Sequence, residues 1–322
     1  MIANLPDIEF SGPVFDLINH ALRDIPQYRA FCAGQLSRTD YCSWLQSGDL
    51  RPDDIGLNAD QLNLSTRFPM DERSMVAHVL AQLRHDGVIT STDYPEAGFD
   101  EWRSRVVSTF DHAGQRTYIF PEEERLLFAL SHIAAPTRAV FAGSYYGYWA
   151  VWAMPGILAA GGTATLIDID PDNMALAERN FKAMGCADVV EFAVADAIEA
   201  GRGLETVDLC VLDAEGPKPT DALPTLSPDL IDKAIYYPIM EAITPAVRQG
   251  GVLVAHNVLL RNLTDNAYFE DRIVENKRQY AKFQQHLDGY YDVQRVLDTS
   301  EGTGVYRRRR PHASGPMPST AS

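Results

Sequence analysis

The fold class follows from residues 137–151, TRAVFAGSYYGYWAV, which join a short apolar strand to a turn built on two glycines. The run TRAVFA has the length and composition of a buried β-strand. Gly143 and Gly147 follow it, and glycine permits both a tight turn and close approach to the backbone. A strand followed by a glycine turn and a helix predicts the first βα unit of an α/β fold, whose ligands bind at the carboxyl ends of the strands.

Four further apolar runs follow this unit, separated by helical segments. They are TATLIDI (163–169), VVEFAV (189–194), VDLCVLD (207–213) and GVLVAHN (251–257). Such alternation is typical of a parallel sheet covered on both faces. YYDVQRVLD and GTGVYRRR, on either side of residue 300, predict a closing β-hairpin. Helices are expected near 147–160, 171–184, 232–248 and 265–287, and Asp170 with Pro171 forms an N-cap and first-turn pair for the second of them.

Residues 1–115 have a different pattern, with helical segments and no alternating run long enough for a large sheet. We predict a mostly helical N-terminal domain here, then an α/β domain over 116–308 and a disordered tail over 309–322. The N-terminal domain could cover the active site, form a dimer interface or only stabilise the chain. The sequence leaves these three roles open.

Composition limits the classes of partner. The 322 residues include 28 basic and 44 acidic side chains, for a formal net charge of −16. Because phosphate binding depends on clustered Lys and Arg, we expect neither nucleic acid nor an anionic membrane as a partner. The longest apolar stretch is broken by Pro155 and Gly156 and is too short to cross a bilayer. The cysteines lack CxxC spacing, and the N-terminus lacks the basic region of a signal peptide, so we expect a cytoplasmic protein.

Polar residues at the ends of the predicted strands outline a nucleoside site. The first turn lacks GxGxxG, which argues against an ordinary dinucleotide site. Asp168 ends the second strand, where such folds hold a ribose diol. Asp196 and Ala197 follow the third strand and are placed for an adenine edge. Each signal also fits an ordinary strand end or helix cap, but their order within one α/β unit favours a binding site.

From about Phe120 to Arg308 the sequence resembles the catechol and caffeoyl-CoA type of S-adenosylmethionine-dependent O-methyltransferases. The matching segments are FPEEERLLFALSHI, AGSYYGYWAV, LIDIDPDN, VVEFAVADA, VDLCVLDAE and GGVLVAHNVL. The resemblance implies a Rossmann-like seven-stranded sheet of order 3-2-1-4-5-7-6, with S-adenosyl-L-methionine as the cofactor. It places Gly143 and Tyr145 at the methionine moiety, Asp168 at the ribose, and Asp196 with Ala197 at the adenine. The other predicted cofactor-binding residues are Gly147, Trp149 and Asp213.

The sequence departs from this family close to the reacting groups. Phe141 stands where the family commonly has Glu. Trp149 replaces a small hydroxyl residue that helps to hold the methionine carboxylate. The lysine that many members use as a base falls at Gly216, with Lys218 two residues away. The resemblance therefore leaves the grip on the methionine arm and the identity of the base in doubt.

The family's divalent cation site is altered as well. Asp213 and Asn257 match two of the family's ligands, but His256 stands at the third position. Mg²⁺ prefers oxygen ligands, and one carboxylate with one His and one Asn is a weak site for other metals. We do not expect a divalent metal; if one binds, its ligands would be Asp213, His256 and Asn257. His256 could be a hydrogen-bonded strand-end residue or a general base, and the predicted catalytic residues are His256, Glu215 and Asp213.

Two further features flank the predicted site. Its aromatic cluster could pack into the core or place ring faces near a sulfonium cation; the members are Tyr145, Tyr146, Tyr148, Trp149 and Trp152. The proline-rich segment 216–231 follows Asp213 where the family has a short link. A long insertion beside a catalytic strand predicts a substrate lid, with a passive surface loop as the alternative.

Three functions remain open from the sequence. The first is methyl transfer to a hydroxyl of a small molecule, in natural-product metabolism, with His256 or Glu215 as base. In the second, the amine of S-adenosylmethionine attacks its own γ-carbon, which gives azetidine-2-carboxylate and methylthioadenosine; transfer of the aminocarboxypropyl arm is a variant. The third is a non-catalytic binder. The expected partner is a small-molecule substrate, and a homodimer is left open.

Overall fold

A seven-stranded mixed sheet lies at the centre of the protein. The computed structural model describes residues 13–33, 35–67, 72–219, 221, 223–259, 267–297 and 302–309. The strands are β1 (Arg138–Ala142), β2 (Thr163–Asp168), β3 (Val190–Val194), β4 (Val207–Leu212), β5 (Val247–Ala255), β6 (Tyr291–Leu297) and β7 (Thr303–Arg308). Their order in the sheet is 3-2-1-4-5-7-6, which confirms the predicted α/β class and topology.

Parallel pairing brings the carboxyl ends of the first five strands to one edge of the sheet. β1 pairs with β2 and β4, β2 pairs with β3, and β4 pairs with β5, all in parallel. β7 runs antiparallel to β5 and β6, so the predicted closing hairpin is confirmed. Successive residues of β1 alternate between two apolar clusters, with Phe141 in one and Val140 in the other. Both faces of the strand are therefore covered, which explains its continuous apolar sequence.

Helices account for most of the remaining described residues. They are α1 (Pro13–Leu22), α2 (Pro26–Cys32), α3 (Arg38–Gln46), α4 (Ala59–Leu64), α5 (Glu72–His85), α6 (Glu96–Thr109), α7 (Pro121–Ala134), α8 (Met154–Ala159), α9 (Pro171–Ala183), α10 (Ala197–Gly201), α11 (Tyr236–Ile243), α12 (Ala267–Gln279) and α13 (Ala281–Tyr290). The Asp170 side chain caps α9 by accepting from the amides of Asp172 and Asn173, as predicted.

Tertiary pairing and proline change the ends of three predicted helices. The segment 232–248 forms a short 3₁₀ turn and then α11, because β5 already begins at Val247, where it pairs with Val207. The segment 265–287 is divided at Tyr280, whose hydroxyl donates to the carbonyl of Asn257 at 2.7 Å. Between 147 and 160 a 3₁₀ turn precedes α8, which has Pro155 in its first turn.

The described residues before 116 are helical or irregular, with no strand among them. Helices α5 and α6 contribute Leu80 and Phe99 to the apolar cluster that also contains Phe128 of α7. Helices α1–α4 pack in a third apolar cluster, which includes Phe120 and Leu259. The division into an N-terminal and an α/β domain stays a prediction, and the predicted tail lies outside the described residues after Arg309.

The searched helices include no candidate membrane span. Within the described ranges, none combines the length and the apolar character that crossing a bilayer requires.

Candidate functional site

A cavity of about 1170 Å³ opens at the carboxyl edge of the sheet. Its walls come from the segments after β1, β2, β3, β4 and β5, the location that the topology of an α/β sheet predicts for a ligand. Most of the predicted site residues line it: Gly143, Tyr145, Asp168, Asp196, Ala197, Asp213, Glu215, His256 and Asn257. Among the described residues the first to line it is Arg116, so helices α1–α6 do not supply its walls.

The turn after β1 requires glycine at both positions because a side chain there would collide with other parts of the protein. Gly143 has φ of +74°, and a β-carbon there would lie 2.2 Å from Cα of Ala214. Gly147 has φ of +84°, and its β-carbon would lie 2.7 Å from the ring of Phe181. The sequence suggested that Gly143 makes room for a ligand; the structure shows that it makes room for the chain that leaves β4. The turn and the end of β4 are thereby held together.

Asp168 ties this turn to the end of β2. One carboxylate oxygen accepts from the amide of Tyr145 at 2.8 Å, and the other accepts from the amide of Asp170 at 3.0 Å. Burial raises the pKa of Asp168, and these two hydrogen bonds oppose that shift. Tyr145 has a positive φ of +50°, so the backbone is strained where the amide meets the carboxylate. The side chain of Asn173 adds a third hydrogen bond to this carboxylate. A carboxylate has about four acceptor positions, so one remains for a hydroxyl donor from a ligand.

The residues after β3 combine a structural role with a place in the cavity wall. Asp196 caps α10, since its side chain accepts from the amide of Ile198 at 2.7 Å. Asp196 and Ala197 both line the cavity. Across the opening, the hydroxyl of Tyr145 donates to the side chain of Gln115 at 2.5 Å. The contact joins the turn to the segment that precedes α7.

Four charged residues form an ionic cluster at the wall of the cavity: Glu123, Asp213, Lys233 and His256. Nε2 of His256 lies 3.0 Å from Oε2 of Glu123, and its Nδ1 lies 3.4 Å from Oδ1 of Asp213. Nζ of Lys233 donates to the same Oδ1 at 3.0 Å and to the carbonyl of Ala214 at 3.2 Å. Two anions and two cations therefore balance within the ionic cluster.

The electrostatics of the ionic cluster favour a protonated His256. Burial alone would lower the pKa of this histidine, but the carboxylates of Glu123 and Asp213 outweigh burial and raise the pKa to about 10. Burial would raise the pKa of Asp213, whereas Lys233 and His256 lower it overall. At neutral pH the imidazolium donates both ring protons to carboxylates. The predicted role of His256 as a general base stays a prediction that this geometry does not favour, because no nitrogen lone pair is left.

Asp213 also faces the cavity. Its Oδ1 receives the bonds from Lys233 and His256, and the hydroxyl of Tyr236 interacts with the same carboxylate. The side chain is 26% exposed and lines the cavity. Glu215 also lines the cavity, with a half-exposed side chain that is ion-paired with Lys218. Both carboxylates can meet a ligand.

Lys233 and Glu123 are the site residues that the sequence analysis missed. Lys233 is 8% exposed and lies 17 positions after Gly216, where the family's lysine was expected. Two backbone hydrogen bonds join the ends of the intervening segment. The amide of Gly216 donates to the carbonyl of Asp232 at 3.0 Å, and the amide of Asp232 donates to the carbonyl of Pro217 at 2.9 Å. With its ends joined, the insertion leaves Lys233 beside Asp213. The doublet Asp232-Lys233 directly after the insertion was the available signal.

Asp213, His256 and Asn257 do not fit a divalent cation. A metal needs a neutral imidazole nitrogen with a free lone pair, but both nitrogens of His256 face carboxylates. The oxygen of Asp213 that faces the histidine is also bonded to the ammonium of Lys233. No group of three or more His, Cys, Asp or Glu side chains with metal-binding geometry occurs in the part of the chain that the structure describes.

The aromatic cluster is mostly core. Tyr146 and Trp152 are fully buried, and Tyr148 is 3% exposed with its hydroxyl donating to Glu124 at 2.6 Å. Tyr145 alone of the five lines the large cavity. Trp149 and Tyr148 line an adjoining recess of about 40 Å³. The recess shares Gly143, Tyr145 and Asp213 with the cavity, and Phe141 forms part of its wall.

The segment from β1 to the residues after β5 matches a known domain family. Residues 140–258 match the model of a methyltransferase domain. The match covers the strand ends that build the cavity and three members of the ionic cluster. The predicted resemblance to methyltransferases is confirmed over this segment. No curated protein matches the chain.

Several solved structures are similar to the chain at low identity. The SAH-bound methyltransferase PaMTH1 of Podospora anserina is 20% identical, with 76% of this chain and 98% of that one covered and a TM-score of 0.49. An O-methyltransferase from Bacillus cereus in complex with SAH is 14% identical, with 75% and 93% covered and a TM-score of 0.44. The O-methyltransferase TomG of Streptomyces achromogenes, in complex with SAM, is 16% identical, with 75% and 100% covered and a TM-score of 0.45.

Proposed function

We propose that the chain is an S-adenosylmethionine-dependent O-methyltransferase that acts on a small molecule. One observation carries this proposal. A single cavity in a methyltransferase domain runs from the carboxylate of Asp168, at the end of β2, to the carboxylate of Asp213, at the end of β4. The first carboxylate is placed to bind a nucleoside, and the second is placed to bind the group that reacts. The volume of the cavity suits a small molecule.

The residues at the β2 and β3 ends fit the nucleoside part of the cofactor. Asp168 is held by two backbone amides and by the side chain of Asn173, and it can still accept from a hydroxyl of a ribose. Asp196 and Ala197 line the neighbouring wall, on the side where the adenine would lie. The cofactor supplies a methyl group on a sulfonium centre. The acidic residues at the strand ends favour such a cationic ligand.

Asp213 is the group that we propose for the acceptor hydroxyl. Its side chain lines the cavity, and its Oδ1 is held by Lys233 and His256. The lowered pKa of Asp213 makes it a weak base, which suffices because an alcohol that has gained a methyl group is a very strong acid. We therefore assign to the carboxylate of Asp213 the orientation of the hydroxyl and acceptance of its proton. Glu215 stays the second candidate for the base.

Lys233 supports metal independence, which stays a prediction. Its ammonium contacts the carboxylate on which a cation would bind, and a fixed cation there keeps Asp213 ionised. The segment 217–231 lies at this end of the cavity, to which Lys218, Leu226 and Leu230 contribute. Because its base is closed by backbone hydrogen bonds, the segment can act as a lid over the acceptor.

A second candidate is the conversion of S-adenosylmethionine itself into azetidine-2-carboxylate and methylthioadenosine. The observation that favours it is the small recess at the Gly143 turn, about 40 Å³, which Phe141 and Trp149 help to fill. A recess of this size favours a bent methionine arm over an extended one. The amine would form a bond to the γ-carbon, the bond from that carbon to sulfur would break, and Asp213 would take the released proton.

Product analysis separates these candidates. The purified protein is incubated with S-adenosylmethionine, alone and with a panel of hydroxyl-bearing small molecules, and nucleosides are identified by mass spectrometry. S-adenosylhomocysteine that forms only with an acceptor supports O-methylation. Methylthioadenosine without an acceptor contradicts O-methylation and supports cyclisation. Cofactor that binds but stays unreacted across the panel supports a non-catalytic binder.

The same assay with a chelator is expected to give undiminished product, and complete loss would contradict metal independence.

A further inference from the structure

One face of helix α12 forms part of the cavity wall. Glu275, Asn276 and Gln279 lie on this face, and all three line the cavity. Nδ2 of Asn276 donates to the carbonyl of Asn257, after β5, at 3.0 Å. Nε2 of Gln279 donates to Asp232, at the base of the segment 217–231, at 3.3 Å. The face therefore lies at the end of the cavity where we place the acceptor hydroxyl.

The amide side chains of this face leave their oxygens for a ligand. An amide has an acceptor oxygen and an NH₂ donor group, and its hydrogen bonds decide which of the two faces the protein. The NH₂ of Asn276 faces a carbonyl. That of Gln279 faces the carboxylate of Asp232 and, at 3.0 Å, that of Glu275. Neither amide oxygen has a hydrogen-bond partner in the part of the chain that the structure describes. Since Asn276 is 6% exposed, its oxygen has little access to solvent and needs a donor from a ligand.

The charges at this end of the cavity select the kind of donor. Outside the ionic cluster, three carboxylates line the cavity here, those of Glu215, Asp232 and Glu275. The ammonium of Lys218 is ion-paired with the first two of them. Arg116 also lines the cavity, and with it included the carboxylates still outnumber the basic groups. An acceptor with a carboxylate or a phosphate would therefore be repelled, whereas an ammonium or a hydroxyl would be favoured.

We propose that the methyl acceptor carries an amine or a second hydroxyl, which the amide oxygens of Asn276 and Gln279 bind. This inference rests on the proposed function, since it assumes that an acceptor hydroxyl reacts beside Asp213. Leu226 and Leu230 line the same end of the cavity and can cover an apolar ring or chain. The substrate class is an uncharged or cationic hydroxyl compound with a second hydrogen-bond donor, as in hydroxyphenyl amines. Asn276 and Gln279 then determine specificity and take no part in the proton transfer.

Four phenols with side arms of matched length provide the probes. The arm ends in an ammonium in tyramine, in a hydroxyl in tyrosol, in a methyl group in para-propylphenol and in a carboxylate in para-hydroxyphenylpropanoate. Each is titrated into the wild-type protein saturated with S-adenosylhomocysteine, and ligand-observed NMR gives its affinity without any need for turnover. Tyramine should bind at least about tenfold more tightly than the acid.

Two variants remove the amide oxygens but keep the volume of the side chains. Gln279→Met and Asn276→Leu should each lower the ratio of the affinities for tyramine and para-propylphenol at least about fivefold, while the affinity for S-adenosylhomocysteine changes less than about twofold. Gln284→Met is the matched control. Gln284 on α13 is a half-buried amide that also donates to a carboxylate, that of Asp288 at 2.9 Å, but it does not line the cavity. Its replacement should leave the ratio unchanged.

The outcomes separate this inference from the proposed function. Wild-type protein that does not bind S-adenosylhomocysteine would overturn both. Protein that binds it but prefers the acid, binds all four phenols alike or binds none of them would overturn the inference alone, as would an unchanged affinity ratio in Gln279→Met and Asn276→Leu. Equal affinities for tyramine and tyrosol would assign the preference to the amide oxygens. A preference for tyramine over tyrosol would add attraction by the neighbouring carboxylates, and both results support the inference.

Discussion

Nε2 of His256 lies 3.0 Å from Oε2 of Glu123, a residue 133 positions earlier in the chain. The pair joins the first turn of α7 to the end of β5, and neither side chain is more than 2% exposed. Glu123 also accepts from the amide of Phe120 and the hydroxyl of Thr303. The buried carboxylate of Glu123 thus connects the start of α7, the residue after β5 and the start of β7. His256 in turn contacts Asp213, so α7 positions the carboxylate that we propose as the base, although Glu123 itself does not line the cavity.

Glu123→Gln is expected to destabilise the protein strongly. The substitution leaves the charge of His256 with one carboxylate instead of two, and breaking a buried ion pair typically costs about 3–5 kcal/mol. The free energy of unfolding in urea measures the loss. Glu101→Gln, at an exposed position on α6, is the control and should cost less than about 0.5 kcal/mol. A loss below about 1 kcal/mol for Glu123→Gln would contradict a buried ion pair.

His256 should make the stability depend on pH in the alkaline range. Its folded pKa of about 10 exceeds the unfolded value of about 6.5, so the stabilisation is complete below pH 6.5 and is lost as the pH rises towards 10. The free energy of unfolding should fall with a slope of at most about 1.4 kcal/mol per pH unit. The difference between the wild type and His256→Gln, measured from pH 6 to pH 9, isolates this contribution. A constant difference would mean that His256 is neutral when folded.

Gly143→Ala is expected to disrupt the turn through a steric clash rather than through backbone strain alone. A β-carbon at Gly143 would lie 2.2 Å from the backbone of Ala214, whereas at Gly161, which also has a positive φ, it would meet nothing within 4 Å. Gly161→Ala should therefore cost only the strain of about 1–2 kcal/mol. Gly143→Ala should cost clearly more and abolish S-adenosylhomocysteine binding. Equal losses of stability would show that the turn can move away from β4.

The fold was predictable because its signals are local. The five apolar runs alternate with helices, and parallel strands buried on both faces need such continuous runs. The position of Asp168 and Asp213 at the same edge of the sheet follows from that topology. Helix boundaries were less predictable: Val247 continues a helical pattern but pairs with Val207 of β4 instead. Long-range pairing overrides propensity there.

Of the ionic cluster, Asp213 and His256 were predicted as site residues. Glu123 and Lys233 were not predicted, for physical reasons. Acidic residues in the first turn of a helix are favoured by the helix dipole and are usually solvated, so the burial of Glu123 leaves no local signal. Its partner lies in another part of the sequence. Lys233 was hidden because an insertion separates it from Asp213, although the closed base of that insertion removes the separation in space. Spacing along the chain misleads wherever a loop returns to its start.

Lys233→Met should test the fixed cation. Without the ammonium, burial should raise the pKa of Asp213 again, so that activity at slightly acidic pH is lost before activity at neutral pH. The loss of a buried partner should also lower the free energy of unfolding by about 3–5 kcal/mol. Lys282→Met removes an exposed cation that pairs with Asp229 and should cost less than about 1 kcal/mol. An unchanged pH profile of turnover in Lys233→Met would exclude control of Asp213 by this lysine.

Asp213→Asn should separate chemistry from binding. The amide keeps the shape of the carboxylate but cannot take a proton, so turnover should fall by about 10²–10⁴-fold. The affinity for S-adenosylhomocysteine should fall by less than about tenfold, because Asp168 and the β3 end still hold the nucleoside. Turnover is measured as nucleoside product by mass spectrometry and affinity by calorimetry, both below the temperature at which the variant unfolds. Asp292→Asn, at a surface pair with Arg307, is the control. Full turnover in Asp213→Asn would transfer the role of base to Glu215, which lies on the same cavity wall.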